Sequence, residues 1–352
     1  MLRRSLQQIA TLEDLNLSYS WMELIQHEAL AAALPALTRM QRLALNCCGI
    51  AADGAHALAA TLPRLRHLRA LELGKNPLGV EGVLALASAI VALSGLLTKL
   101  HLGETDSGTA KRAYIGEPGR RPMGMPTGHG PGEALAAALA PLTGLKCLQL
   151  GGNGIGRLGV GMLAPVLGSL TRLSWLSMQG NPLHQDGAVA LAPAVSKLSC
   201  LSGLNLGGTE LGDAGAACLA PALAALTRLT LLSLDGNAIG GEGAAACAAA
   251  LAGMGQLQEL FLGGNLLHHN GCVVIKTALS GMIHLANLNL TSKIQVLMPR
   301  SARAAPRPSA LRSPSWRRRG RRSVLVQTGC SSPSVSAPQA CTWHTMASTL
   351  AA

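Results

Sequence analysis

The sequence predicts an α/β fold: a right-handed solenoid shaped as a horseshoe, with a parallel sheet on its concave face and helices on its convex face. Three observations lead there. One leucine-spaced phrase occurs ten times, beginning at Leu12, Met40, Leu68, Leu97, Leu145, Leu173, Leu201, Leu229, Leu257 and Leu285, mostly at steps of 28 or 29 residues. Within each copy a short stretch alternates apolar and polar residues. The second half of each copy is alanine-rich, with larger apolar residues at three- and four-residue steps.

The clearest copy reads Leu173-x-x-Leu176-x-Met178-x-x-Asn181-x-Leu183, followed by Gly187, Leu191, Val195 and Leu198. Leu176 and Met178 flank Ser177, a period of two that puts both apolar side chains on one face of a short strand. Ten such strands stacked side by side form a parallel sheet, and parallel neighbours need long, usually helical, crossovers. The segment Gly54 to Leu65 supplies one: Leu58, Leu62 and Leu65 lie at helical spacing, and alanine fills the gaps. Between strand and helix, Asn76, Asn153, Asn181, Asn237 and Asn265 share one position, where a buried amide can bond otherwise unpaired backbone. Ser20, Cys48, Thr105, Thr209 and Lys293 replace it elsewhere, so the asparagine ladder is expected to hold until the tenth repeat. Gly82, Gly159, Gly187, Gly215, Gly243 and Gly271 share a second position, as expected where the chain turns tightly into its helix; Gln26 stands there in the first repeat.

The domain boundaries follow from where the rhythm holds. Residues 1–292 are expected to form one solenoid of about ten repeats, with an insert near 106–131 rich in Gly and Pro and carrying Lys111, Arg112, Arg120 and Arg121. Residues 293–352 are expected to be a basic, Ser/Pro/Arg-rich disordered tail. Both ends look unfinished, because residues 1–11 carry Leu2, Leu6 and Ile9 like the closing helix of an earlier repeat, and Leu290 has no following Asn turn. Either a fragment of a longer solenoid or a change of reading frame near residue 292 accounts for that. The formal charge of +12 lies mostly in the tail, which holds ten Lys and Arg and no acid and leaves 19 basic against 17 acidic residues elsewhere.

A nearly neutral solenoid gives no general electrostatic case for nucleic acid, and only the basic tail is a candidate for it. The nine cysteines form no C-x-x-C pair and read as reduced thiols of an intracellular protein. No apolar run approaches the ~18 residues of a membrane span. The expected location is therefore cytoplasmic, with nuclear import through Arg317, Arg318, Arg319, Arg321 and Arg322 as the variant.

Three local patterns invite sharper readings and are set aside. Gly154-Ile-Gly156-Arg-Leu-Gly159 fits a dinucleotide fingerprint, but its residues are ordinary repeat positions and no acidic residue ends a second strand at the required distance. His268, His269 and Cys272 do not supply the three or four converging ligands of a zinc site. No Ser-His-Asp, Cys-His or paired-carboxylate arrangement emerges. Catalytic residues, metal and cofactor are each expected to be none.

The phrases Leu-x-x-Leu-x-Leu-Gly-Gly-Asn-x-Ile/Leu-Gly and Gly-Ala-x-x-Leu-Ala-x-x-Leu resemble the ribonuclease-inhibitor-like class of leucine-rich repeats. Similar arrays occur in nucleotide-binding leucine-rich receptors and in the GTPase-activating protein of Ran. The resemblance implies a non-catalytic scaffold that binds an unknown protein partner along its concave sheet, with a GTPase activator resembling the Ran regulator as the alternative. Oligomeric state is not implied. Two rows of side chains point outward from the sheet, and aromatic and charged groups anchor most interfaces. In those rows Arg42, Glu72, Lys99, Trp175, Glu259 and Phe261 qualify as partner-binding candidates. Beside them, Gly151-Gly152, Gly207-Gly208 and Gly263-Gly264 expose bare backbone, which suits close approach by another backbone or a bulky partner and equally fits a face that binds little.

Overall fold

A computed structural model describes residues 11–103, 131–291 and 323–325 of the chain. Its strands are β1 (Asp14–Asn16), β2 (Arg42–Ala44), β3 (Ala70–Glu72), β4 (Lys99–His101), β5 (Cys147–Gln149), β6 (Trp175–Ser177), β7 (Gly203–Asn205), β8 (Leu231–Ser233), β9 (Glu259–Phe261), β10 (Asn287–Asn289) and β11 (Ser323–Leu325). They form one sheet in sequence order, every neighbour parallel. Between them run α1 (Leu24–Ala33), α2 (Ala52–Ala59), α3 (Gly79–Ala92), α4 (Pro131–Leu139), α5 (Arg157–Ser169), α6 (His184–Val195), α7 (Gly212–Ala224), α8 (Gly241–Leu251) and α9 (His268–Leu279). Each helix packs on the next, so the α/β solenoid expected from the spacing is the observed architecture. The insert lies outside the described residues. So does the tail, except that β11 falls inside the segment expected to be unordered.

Register locks the core. The strand pairing sets Leu15, Leu43, Leu71, Leu100, Leu148, Leu176, Leu204, Leu232, Leu260 and Leu288 in one column. From Leu43 to Leu260 these are 1% exposed or less. Full burial of a leucine is worth roughly 1.5–3 kcal/mol, and a slip of one residue would turn every one of them to the opposite face. Helical leucines such as Leu58, Leu163, Leu191 and Leu219 close the same interior from the other side.

The asparagine column ties one coil to the next. Asn181 Oδ1 accepts from the backbone N–H groups of Asn153 and Ile155, both at 3.0 Å, while its Nδ2 donates to the carbonyls of Leu150 and Met178, both at 2.9 Å. Asn76 and Asn265 repeat this four-bond pattern within their own neighbourhoods. The substitutes keep part of it. Cys48 Sγ reaches the Leu17 carbonyl at 3.0 Å, and Thr209 Oγ1 donates to the Leu206 carbonyl at 2.7 Å but is too short to reach the preceding coil. Thr105 and Lys293 lie outside the described residues.

The helix-start glycines have a second cause that the sequence did not reveal. A Cβ on Gly187 would stand 2.9 Å from Leu183 Cβ and 3.0 Å from Val160 Cγ1 of the preceding helix, and one on Gly271 would stand 3.1 Å from Ala244 Cβ. The residue that opens the turn and the neighbouring helix crowd this position together, so the tight entry expected from the sequence is one of two causes. Pro165, Pro193 and Pro221 sit inside α5, α6 and α7 on their exposed side, where the carbonyl each leaves unbonded faces water.

Replacing Asn181 by Ala orphans two buried N–H groups and two carbonyls at once. The expected loss is about 2–4 kcal/mol in urea-induced unfolding. A loss below ~1 kcal/mol would show that the ladder is decoration on a leucine core.

Candidate functional site

The outward sheet face divides the six candidates into two groups and one isolated residue. Arg42, Glu72 and Lys99 lie on the adjacent strands β2, β3 and β4, and the structure brings them together. Arg42 Nε donates to Glu72 Oε1 at 3.1 Å, Lys99 Nζ to the same oxygen at 2.9 Å, and Arg42 Nη1 to Asp14 at 3.1 Å. Asn46 Nδ2 donates to Glu72 Oε2 at 3.1 Å. The Glu72 carboxylate is therefore surrounded by donors, and the residue is only 5% exposed. Burial by itself would raise its pKa; the charges and hydrogen bonds of Lys99 and Arg42 outweigh that and hold it at about 2. Arg42 loses some of its proton affinity to burial, but Glu72 and Asp14 more than restore it.

Sequence reasoning selected the three charged residues as contacts for a partner; the structure engages them with one another. Asp14 and Asn46 complete the cluster and were missed. The signal was present, since Asp14 is aligned with Arg42, and Asn46 follows two residues after Ala44, which pairs with Glu72. Beside the cluster, burial pushes the Cys147 thiol up to about 11, with Lys99 opposing, so it is an inert thiol at neutral pH.

Trp175 stands alone on β6. Its indole lies over Gly203 of β7, where an added Cβ would come 2.1 Å from Cε3. Glycine is thus required at residue 203 for the ring to lie flat on the sheet. The indole Nε1 is buried and has no hydrogen-bond partner among the described residues. His101 uses the same device over Gly74, where a Cβ would meet Nε2 at 2.3 Å.

Glu259 and Phe261 share the outer face of β9, three strands from Trp175, or about 14 Å at the usual strand spacing. Phe261 pairs in register with Ser233 of β8, and Asp235 follows two residues later on the same face. Burial raises the pKa of Glu259, opposed by a hydrogen bond from Asn287. It raises that of Asp235 as well, although Asp235 accepts from the Gly263 N–H at 2.5 Å and from Ser233 Oγ at 3.4 Å. Among the described residues neither carboxylate has a salt bridge like those that hold Glu72.

The glycine pairs have intramolecular reasons. Gly152, Gly180, Gly208, Gly236 and Gly264 occupy one repeat position with φ between 62° and 69°, the left-handed region that favours glycine. Their partners are hemmed in by the next coil: a Cβ on Gly151 would be 2.9 Å from the Gln179 carbonyl oxygen, and one on Gly263 2.9 Å from Thr291 Oγ1. Gly154 and Gly159 of the fingerprint-like stretch likewise serve the turn and the contact with Gly132. Among the described residues no group of three or more His, Cys, Asp or Glu is placed to hold a metal ion, and no helix is long and apolar enough to cross a membrane.

The Leucine Rich repeat family model matches three segments, residues 64–87, 197–220 and 226–246, each covering a strand and the start of the helix after it. These three segments are leucine-rich repeats. No curated protein matches it in sequence. Solved structures of similar shape include a chain of a TLR13–ssRNA13 complex, 19% identical with a TM-score of 0.45 over 82% of this chain and 37% of that one. Internalin C2 of Listeria monocytogenes is 18% identical with a TM-score of 0.41, over 74% of this chain and 83% of its own. Internalin F of the same organism is 19% identical with a TM-score of 0.37, over 82% of both chains. This chain therefore spans about a third of the TLR13 chain's length and most of each internalin's. Repeat solenoids of this class present long surfaces for interaction, which is the general role the architecture carries.

Two outcomes test the geometry. Glu72 has its pKa lowered by folding, so its contribution is fully present above the unfolded value near 4.5 and is lost as pH falls through about 2. Urea unfolding at a series of pH values from 6 to 2 is expected to show a loss approaching about 3 kcal/mol from this group, absent in Glu72→Gln. A Glu72→Gln protein with the same acid dependence as the parent would refute the network. Separately, Gly203→Ala is expected to lift the Trp175 ring off the sheet, giving a red-shifted, more quenchable emission that Trp175→Phe removes.

Proposed function

We propose that this solenoid is a non-catalytic scaffold that binds a protein partner along the outer face of its sheet. The supporting observation is that Trp175 and Phe261 are mounted on that face by parallel strands whose backbones are fixed on both sides. Rigid aromatic side chains lose little entropy on binding and dominate interface energetics. Glu259 beside Phe261 contributes polar recognition. Arg42, Glu72 and Lys99 form the other half of the contact surface as a pre-organised charged patch, Arg42 and Lys99 presenting partly exposed cations with Glu72 as the buried counterion that orients them.

The reading places the protein inside the cell, in the cytoplasm or, through the arginines of residues 317–322, in the nucleus. The GTPase-activating alternative draws no support from Arg42, the arginine in the outward rows, because Asp14 and Glu72 hold its guanidinium.

The test is affinity capture with the full chain, compared with Trp175→Ala combined with Phe261→Ala, both checked for folding by circular dichroism. At least about a tenfold drop in recovery of specific partners is expected, since an aromatic anchor is worth more than ~1 kcal/mol. Undiminished recovery of every partner rejects this face, and stimulation of GTP hydrolysis by a small GTPase would favour the alternative.

A further inference from the structure

The outer sheet face carries its charge unevenly. On β1 to β4 the acids Asp14 and Glu72 are matched by Arg42 and Lys99. From β5 to β10, the outward residues of each strand and the residue two places beyond include Asp235 and Glu259 and no lysine, arginine or histidine. This half of the face therefore disfavours phosphate-rich ligands and attracts cations.

Both carboxylates flank one aromatic residue. Glu259 and Phe261 are the first and third residues of β9 and point the same way, and Asp235 lies two residues beyond Ser233, the in-register partner of Phe261. At the usual strand rise and spacing, Phe261 is rooted about 7 Å from Glu259 along the strand and about 8 Å from Asp235 on the adjacent coil. The negative face of an aromatic ring adds its own attraction for a cation placed over it. All three residues are half-buried, so the group is reachable from outside.

Neutral donors alone serve these acids. Glu259 stands in register between Leu231 and Asn287, and Leu231, which is only 5% exposed although it points outward, has no donor to offer from its side chain. Asn287 supplies one hydrogen bond to Glu259, while the Gly263 N–H and Ser233 Oγ serve Asp235. Burial still leaves both carboxylates with a raised affinity for protons. Among the described residues no lysine or arginine forms an ion pair with either. A cation delivered from outside would supply the compensation that the chain itself gives to Glu72.

We infer that the partner docks on the outer face of β8 and β9 with a basic segment, one lysine or arginine side chain lying against Phe261 between Asp235 and Glu259. The inference rests on the sheet-face reading proposed above and names the chemistry of the partner. A basic side chain gains charge-assisted contacts and a cation–π contact there without breaking an existing ion pair. At Arg42 and Lys99 the same segment would meet like charges, which directs it toward the C-terminal strands.

Selection of short random peptides displayed on phage against the full chain provides the test. Enrichment of lysine and arginine is expected among the peptides recovered. The tightest is expected to bind at least about tenfold more weakly to Asp235→Asn combined with Glu259→Gln, checked for folding by circular dichroism, and to lose little more there when its basic residues are replaced by norleucine. Carbodiimide, which joins a carboxylate to a lysine amine in contact with it, is expected to attach a lysine-bearing version of that peptide to Asp235 or Glu259. A cross-link to a lysine of the same chain or of a second copy, or none at all, overturns the inference. So does recovery of no peptide, of peptides without basic enrichment, or of peptides that bind the neutralised variant as well as the parent. If recovered peptides of that kind still fail on Trp175→Ala combined with Phe261→Ala, the sheet-face reading stands and only the basic partner is rejected.

Discussion

The structure depends on one constraint: a coil of 28 residues with a three-residue strand cannot satisfy its own backbone at the turn that follows. The asparagine amide resolves it by spanning two coils at once, accepting from one N–H pair and donating to two carbonyls. Each bond of this kind is worth only ~1 kcal/mol net, but leaving the same groups dry and unpaired costs more, so the residue type is set by the penalty it prevents. Leucine burial supplies the gross stabilisation, while the asparagines decide that coils stack at a fixed lateral offset. Thr209 shows what the amide's length is for. Its hydroxyl still bonds within its own coil, but among the described side chains the Met178 carbonyl behind it is reached by Asn181 alone.

Most of this framework was legible in the sequence because each signal recurs. The leucine column, the alternation that marks strands and the asparagine position recur from repeat to repeat, and each fell where the spacing put it. The reasons for particular glycines were not legible. Gly187 and Gly271 look like turn residues in sequence, and the preceding helix crowds the same position as closely as the turn does. Gly152 and its equivalents looked like open backbone awaiting a partner, yet they answer a left-handed turn. For Gly187, Gly271 and Gly151 part of the cause lies in a neighbour 27 or 28 residues away, which composition at one position does not display.

The site was half legible for a related reason. Aligning the repeats puts Glu72 diagonally between Arg42 and Lys99, so the residues are found by row and column. Whether three such side chains reach outward or turn to each other depends on their length and on the surrounding desolvation. Here a nearly buried carboxylate draws in both cations, and its depressed pKa measures how strongly. The indole of Trp175 resting on Gly203 is another lateral pairing that neither residue announces by itself.

The two halves of the sheet face consequently differ in what a partner would have to do. At β1 to β4 the charges are mutually compensated, and a ligand that takes one member must leave Glu72 partly unpaired in a dry setting, which costs several times what an exposed ion pair returns. At β8 and β9, burial raises the affinity of Asp235 and Glu259 for protons, and among the described residues no cation holds them as Arg42 and Lys99 hold Glu72. There a positive group from a partner would relieve desolvation rather than break an existing pair. With Phe261 between the two carboxylates, binding energy on this face is more readily gained toward the C-terminal strands, while the N-terminal cluster contributes rigidity and a fixed pattern of charge.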